Sequence, residues 1–144
     1  MKLAPLQLES YFLTEVTLRA NQAFDCKKPI QFGEGDLEVS HECHVLPNDA
    51  ERWQVTLNLK LQAPPEANPA YYFNLQVVGV VWAMPVLAEH TERVVRTNGP
   101  SMLFGAAREM IRDLTARGPF APMLLPSVSF ALENLPPKPV PVGP

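Results

Sequence analysis

No stretch of this chain approaches the roughly 18 uninterrupted apolar residues of a membrane-spanning helix, and no basic block is longer than Lys27-Lys28. With a formal charge of -3, it also lacks the electrostatic footprint of a protein that binds nucleic acid or an anionic membrane. Neither is expected as a partner. The opening MKLAPLQLESYFL has one lysine, without the continuous apolar segment and small-residue cleavage pattern of an export signal. A cytoplasmic location is therefore expected. Cysteine is scarce: Cys26 and Cys43 cannot build a disulfide framework and should remain thiols in a reducing compartment.

Signatures of chemistry are missing too. There is no G-x-S-x-G elbow and no phosphate-cradling glycine loop, and the three histidines have no marked serine or cysteine partner. Glu34 and Asp36 sit beside glycines and read as turn residues. The run HECH, residues 41–44, is the one grouping that resembles a metal site. On a strand, His41 and Cys43 share one face while Glu42 and His44 share the other, and the second ligand pair of a structural zinc site is absent. Ordinary strand residues, no metal and no enzyme are the expectation.

What the chain does have is apolar residues and proline. At 144 residues and 47% hydrophobic, it is long enough to bury about 68–70% of its unfolded surface around one core. Its 16 prolines are clustered: Pro64, Pro65 and Pro69 in one loop, Pro119, Pro122 and Pro126 in a late apolar segment, and five more from Pro136 onward. Residues 1–135 are read as one domain and residues 136–144 as an extended proline-rich tail.

Period-2 alternation marks strands. Over residues 12–20, Phe12, Val16, Leu18 and Ala20 oppose Leu13, Glu15, Thr17 and Arg19. Residues 36–46 set Leu37, Val39, His41, Cys43 and Val45 against Glu38, Ser40, Glu42 and His44. Residues 53–61 alternate most cleanly, and residues 71–84 alternate before becoming apolar on both faces. Between the first two strands, Pro29, Gly33 and Gly35 forbid long regular structure, which leaves a crossover loop carrying Phe24, Ile30 and Phe32 as isolated anchors. Helical patterns come afterwards: a short helix over 87–97, then a firmer one from Pro100 to Arg117, capped by Asn98 or Gly99 and stopped by Gly118-Pro119. Its apolar stripe is Met102, Leu103, Ala106, Met110, Ile111 and Leu114, with Arg108 on the polar side. Four strands with short connections, followed by helices, describe an α+β fold built on an antiparallel sheet.

The apolar excess lies in irregular segments. Phe24, Ile30 and Phe32, and then Phe120, Met123, Leu124, Leu125, Val128 and Phe130, sit on backbone that proline keeps out of regular ladders. They either close the core or an oligomer interface, or they line a groove for extended polypeptide, where Met and aromatic side chains adapt to varied partners.

Residues 98–130, NGPSMLFGAAREMIRDLTARGPFAPMLLPSVSF, resemble the SecB family of export chaperones. Pro100, Leu103, Phe104, Ala107, Arg108 and Glu109 match a P-x-(I/L)-L-F-P-Y-A-R-E segment; Arg117, Gly118 and Phe120 match R-G-x-F-P; Leu125, Val128 and Phe130 match L-x-P-V-N-F. The resemblance implies a four-stranded antiparallel sheet with a long and a short helix packed on one face, and a cofactor-free, ATP-independent chaperone, assembled as a dimer or dimer of dimers, that holds unfolded polypeptides or preproteins for export. Its implied groove comprises Phe24, Ile30, Phe32, Leu37, Val39, Met102, Phe104, Met110, Phe120, Met123 and Leu125.

Three departures accompany it. Gly105-Ala106 replace the family's proline-tyrosine pair, and where the family continues into a second long helix the sequence has Ala131 to Leu135 and then prolines, so that helix is not expected. Of the acidic positions used for the SecA motor, only Glu15 is represented, with Arg19 and Asn74 standing where acids are expected. SecA contact is accordingly expected to be weak or absent. The alternative is a SecB-like chaperone dedicated to one partner, such as an antitoxin.

Overall fold

The computed structural model describes residues 1–130; the segment 131–135, the proline-rich tail and the expected absence of a second long helix concern residues outside that range. Four strands form one antiparallel sheet: β1 (Leu6–Ala20), β2 (Leu37–Leu46), β3 (Asp49–Leu61) and β4 (Tyr71–Ala83), in the order β1-β4-β3-β2. Because β1 and β2 are successive in the chain but occupy opposite edges, residues 21–36 must cross the end of the sheet, as the sequence pattern requires. The β2–β3 connection is a tight hairpin in which Leu46 pairs with Asp49 across Pro47-Asn48.

β1 begins earlier than alternation suggests, and its faces differ from the expected ones. Register shifts between Leu8 and Ser10 and between Leu13 and Glu15 insert an extra residue at Glu9 and Thr14, and each such bulge reverses the side on which following residues emerge. Leu13 pairs with Val77 and Val16 with Leu75 on the helix side, whereas Phe12 pairs with Val78 on the outer side beside Glu15, Thr17 and Arg19. Strict period-2 reading joins Phe12 to Val16; the bulge separates them.

A single helix, α1 (Thr91–Thr115), follows a short 3-10 segment (Pro85–His90). The expected break at Asn98-Gly99-Pro100 does not occur, and the short and long helices are one, roughly 37 Å long at 1.5 Å per residue. Pro100 removes one backbone donor, yet Gly99 and Pro100 are both buried against the sheet. A Cβ at Gly99 would lie 3.0 Å from Val55 Cγ2, so the glycine lets the helix settle closely on β3, and that burial offsets the lost hydrogen bond. The buried row is Val95, Gly99, Leu103, Ala107 and Ile111 with Phe104 and Thr115, rotated from the expected stripe. Met102, Ala106, Met110 and Leu114 are its half-buried margins.

The core lies between α1 and the inner face of the sheet. Val55, Leu57 and Leu59 of β3 and Leu75, Val77 and Val81 of β4 are fully buried there with Leu103 and Ile111. The outer face is polar by comparison: Gln54, Thr56, Asn58 and Lys60 of β3 adjoin Asn74 and Gln76 of β4.

Candidate apolar groove

The crossover loop is irregular but firmly held. Asn68 takes a left-handed conformation, φ 54°, which asparagine tolerates better than most residues. Its amide donates to the carbonyls of Asp25 (2.8 Å) and Lys28 (3.1 Å) and accepts from the Asp25 N–H (2.9 Å). Asn21 donates through its side chain to the Pro69 carbonyl at 2.7 Å, and the Gln31 N–H donates to Ala67. The β1–β2 crossover and the β3–β4 loop are thereby tied together at one end of the sheet.

The segment after α1 is tied to the same place by side chains that donate to or accept from its backbone. The Tyr71 hydroxyl accepts from the Phe120 N–H at 2.9 Å and lies within 3.3 Å of the Thr115 and Phe120 carbonyls. Thr115 Oγ1 donates to Ile111 and accepts from the Met123 N–H at 2.8 Å. Arg108 Nε donates to the Leu125 carbonyl at 3.0 Å, so this arginine is a loop anchor and not merely part of a solvated face. Backbone that proline excludes from ladders finds its partners in these groups, as buried polar atoms must.

Between the two tied segments lies a hollow of about 290 Å³ lined by Phe24, Ile30, Phe32, Ala70, Ala121, Pro122, Met123 and Leu124. A second of about 490 Å³, lined by Phe24, Cys26, Pro119, Phe120 and Ala121, meets it at Phe24 and Ala121. Phe24 and Phe120 stand edge to face at 4.8 Å. Ile30 is 44%, Phe32 39% and Leu124 67% exposed, so the groove presents large apolar surface to solvent on an anchored frame.

The structure thus brings Phe24, Ile30, Phe32, Phe120 and Met123 of the sequence-derived set together and separates the rest. Phe104 and Leu125 are buried in the core, behind the groove, because their positions on the helix and on the alternating 123–125 segment point toward the sheet. Leu37, Val39 and Met110 are half-buried against the core and do not line either hollow. Met102 borders a different depression, with Ala4, Pro5, Leu6, Val94, Asn98 and Ser101. Glu15 is exposed on the outer face of β1, opposite Gln76. Leu124, one of the apolar residues of the irregular segments but not of the implied groove set, lines the hollow, because burial of Met123 and Leu125 on either side of it forces it outward. The anchors Tyr71, Thr115 and Asn68 carry no local sequence signal, since their partners are distant in the chain; Arg108 stands in the matched segment, but its bond to Leu125 is not legible from that motif.

The HECH run splits as strand geometry requires. His41 stacks edgewise on Phe130 at 5.3 Å and Cys43 is buried, while His44 and Glu42 meet at 3.5 Å on the outer face. Burial pushes the Cys43 thiol up from its ordinary value, with Arg96 opposing in part, which keeps it protonated and makes it a core-filling group. Among the described residues no three His, Cys, Asp or Glu side chains converge on a metal-sized site, and no helix is long and apolar enough to cross a membrane.

Residues 2–132 match the family model described as preprotein translocase subunit SecB. The protein-export protein SecB of Desulfotalea psychrophila is 28% identical over 108 residues, 71% of this chain and 69% of that protein. That of Azorhizobium caulinodans is 26% identical over 99 residues, spanning 69% of this chain and 62% of the relative. That of Caulobacter vibrioides is 35% identical over 77 residues, about half of each chain (52% and 47%). Among solved structures, the Mycobacterium tuberculosis Rv1957 SecB-like chaperone, in complex with a ChAD peptide from the Rv1956 HigA1 antitoxin, aligns with a TM-score of 0.60 at 17% identity, covering 87% of this chain and 91% of that one. The shared fold accounts for the sheet order and the helix laid across it.

Proposed function

The chain belongs to the SecB family of protein-export chaperones, and from that premise we propose that it holds unfolded polypeptides or preproteins in its apolar groove without ATP, cofactor or catalysis. The observation that carries this reading is the exposure of Ile30, Phe32 and Leu124 on backbone held by Tyr71, Thr115 and Asn68. A rigid frame lowers the ordering cost of binding while apolar walls accept varied side chains. Each large client side chain that enters contributes roughly 1.5–3 kcal/mol before ordering costs. Holding then works by mass action: bound chains are withdrawn from the aggregation-prone pool. A denatured client diluted into buffer should stay clear by light scattering when this protein is present at stoichiometric amounts; unchanged turbidity would sink the reading.

The cytoplasm is the compartment such a role requires. Self-association supplies the assembled form: β1 is an edge strand on which Tyr11 (49%), Phe12 (51%), Leu13 (40%) and Val16 (46%) are exposed. Exposed apolar side chains on both faces of an edge strand with unpaired backbone groups invite pairing with another copy, to a dimer or dimer of dimers. Contact with SecA is expected to be weak, because Arg19 and Asn74 occupy the outer face near Glu15. Sedimentation velocity tests both points: the protein alone should run as a dimer or larger, and added SecA should leave its boundary unmoved. A monomer, or a stable complex with SecA, would contradict the respective proposal.

A second reading, a chaperone dedicated to one partner such as an antitoxin, is favoured by the fold shared with a protein solved in complex with an antitoxin peptide. Recovery of many unrelated unfolded proteins by the immobilised chain would speak against it.

A further inference from the structure

The outer face of the sheet carries a second feature at the groove end. Among the residues that line a shallow hollow of about 340 Å³ are Thr17, Arg19, Lys60, Gln62, Tyr72 and Asn74. Arg19 faces Tyr72 across the β1–β4 register, with its guanidinium carbon 5.1 Å from the ring centre. That contact holds the cation over the hollow. Lys60 enters from the other side, opposite Asn74. Neither Arg19 nor Lys60 forms an ion pair among the described residues. Glu38 pairs with Lys60 in register across β2 and Glu15 lies on the rung opposite Gln76; neither carboxylate lines the hollow, and among the described residues neither is in ion-pair contact with its cations. The other end of the face is different: Arg52 is already held by both oxygens of Glu9, at 2.9 and 3.0 Å, and by Asp49 at 2.7 Å.

Position links this hollow to the groove. Tyr71 and Tyr72 are neighbours on β4 that point to opposite faces of the sheet. Tyr71 anchors the groove segment, Ala70 lines the groove, and Tyr72 lines the outer hollow. A chain leaving the groove reaches the outer face by passing around the strand ends, where Ala70, Tyr71 and Tyr72 are consecutive in the chain and each extended residue adds roughly 3.3 Å. Resting on the holding function proposed above, we propose that the Arg19–Lys60 hollow receives an acidic flank of the bound polypeptide, so that the preferred clients carry Asp or Glu a few residues from an apolar stretch. Two exposed cations form no cage for a small free ion; they gain when the carboxylates are tethered by a segment already bound next door.

The test uses two fluorescent unstructured peptides with one shared apolar segment, flanked by Asp and Glu in one and by Lys in the other, titrated with the full chain and read by anisotropy. The acidic peptide should bind about fivefold more tightly at low salt, and the advantage should shrink as salt shortens the screening length. R19Q/K60Q should abolish the preference and R19E/K60E should reverse it; both residues are exposed, and the neutral pair covers the case in which the acidic pair fails to fold. Equal affinities for the two peptides, or a preference that persists in R19Q/K60Q, would overturn the assignment while leaving apolar holding intact. Failure of both peptides to bind would overturn the holding function and this inference with it.

Discussion

Replacing Tyr71 by Ala should lower stability by about 3–5 kcal/mol, the usual cost of deleting a buried aromatic side chain, and should loosen the groove at the same time. The residue is 1% exposed, packs edgewise on Phe120 at 5.7 Å, and its hydroxyl accepts from the Phe120 N–H. Tyr71→Phe separates the two roles: it keeps the ring and strands the N–H, at a cost of about 1–3 kcal/mol. Gly118 sharpens the test. A Cβ there would lie 2.3 Å from the Tyr71 hydroxyl oxygen and 2.8 Å from Cε1, so the ring or the loop would have to move, and Gly118→Ala should cost about 1–3 kcal/mol. In the Tyr71→Ala background the clash is gone and most of that cost should disappear, a non-additivity expected of residues in contact. Urea midpoints at unchanged slope give all four values. A Tyr71→Phe midpoint equal to that of the wild type would show that solvent replaces the hydroxyl and that the loop needs no such anchor.

Ile30→Asp combined with Phe32→Asp should do the opposite: little change in stability and loss of client holding. Both side chains are more than a third exposed and sit in a loop held by backbone and Asn68 hydrogen bonds that neither substitution touches. Depriving a client of two apolar partners weakens its binding by roughly a hundredfold or more, and placing unpaired carboxylates against apolar client surface adds a desolvation cost. Light scattering of a diluted client and the urea midpoint should therefore separate cleanly. Val86→Asp, at a residue 78% exposed in the 3-10 segment before α1, is the control that should leave holding unchanged. If the double variant still suppresses aggregation at wild-type amounts, clients bind elsewhere, and the exposed apolar edge of β1 becomes the next surface to test.

Much of the fold was legible because its signals are local. Alternation located β2, β3 and β4, and Pro29, Gly33 and Gly35 marked the crossover. The antiparallel sheet followed from the shortness of the connections. Errors arose where a local rule met a tertiary contact. Gly99-Pro100 reads as a helix start, yet the helix continues through it because close packing on Val55 compensates for the missing donor. Phe12 reads as a partner of Val16 until the bulge at Thr14 separates them. Nothing in the one-dimensional pattern marks a bulge, since it is a property of the pairing between two strands.

The candidate groove divides in the same way. Residue types alone established that Phe24, Ile30, Phe32, Phe120 and Met123 sit on irregular backbone, because proline and glycine deny those stretches a ladder. The motif in residues 98–130 pointed to the family. Which of these side chains face solvent was decided by tertiary structure: Leu125 and Phe104 turn into the core, and Leu124 turns out of it. That choice depends on Tyr71, Thr115 and Arg108, which hold the last segment through bonds to residues 8 to 49 positions away. Side-chain chemistry is a property of single residues and can be read in order along a chain. Convergence belongs to pairs of distant residues and exists only once the sheet end, the helix terminus and the two loops have met.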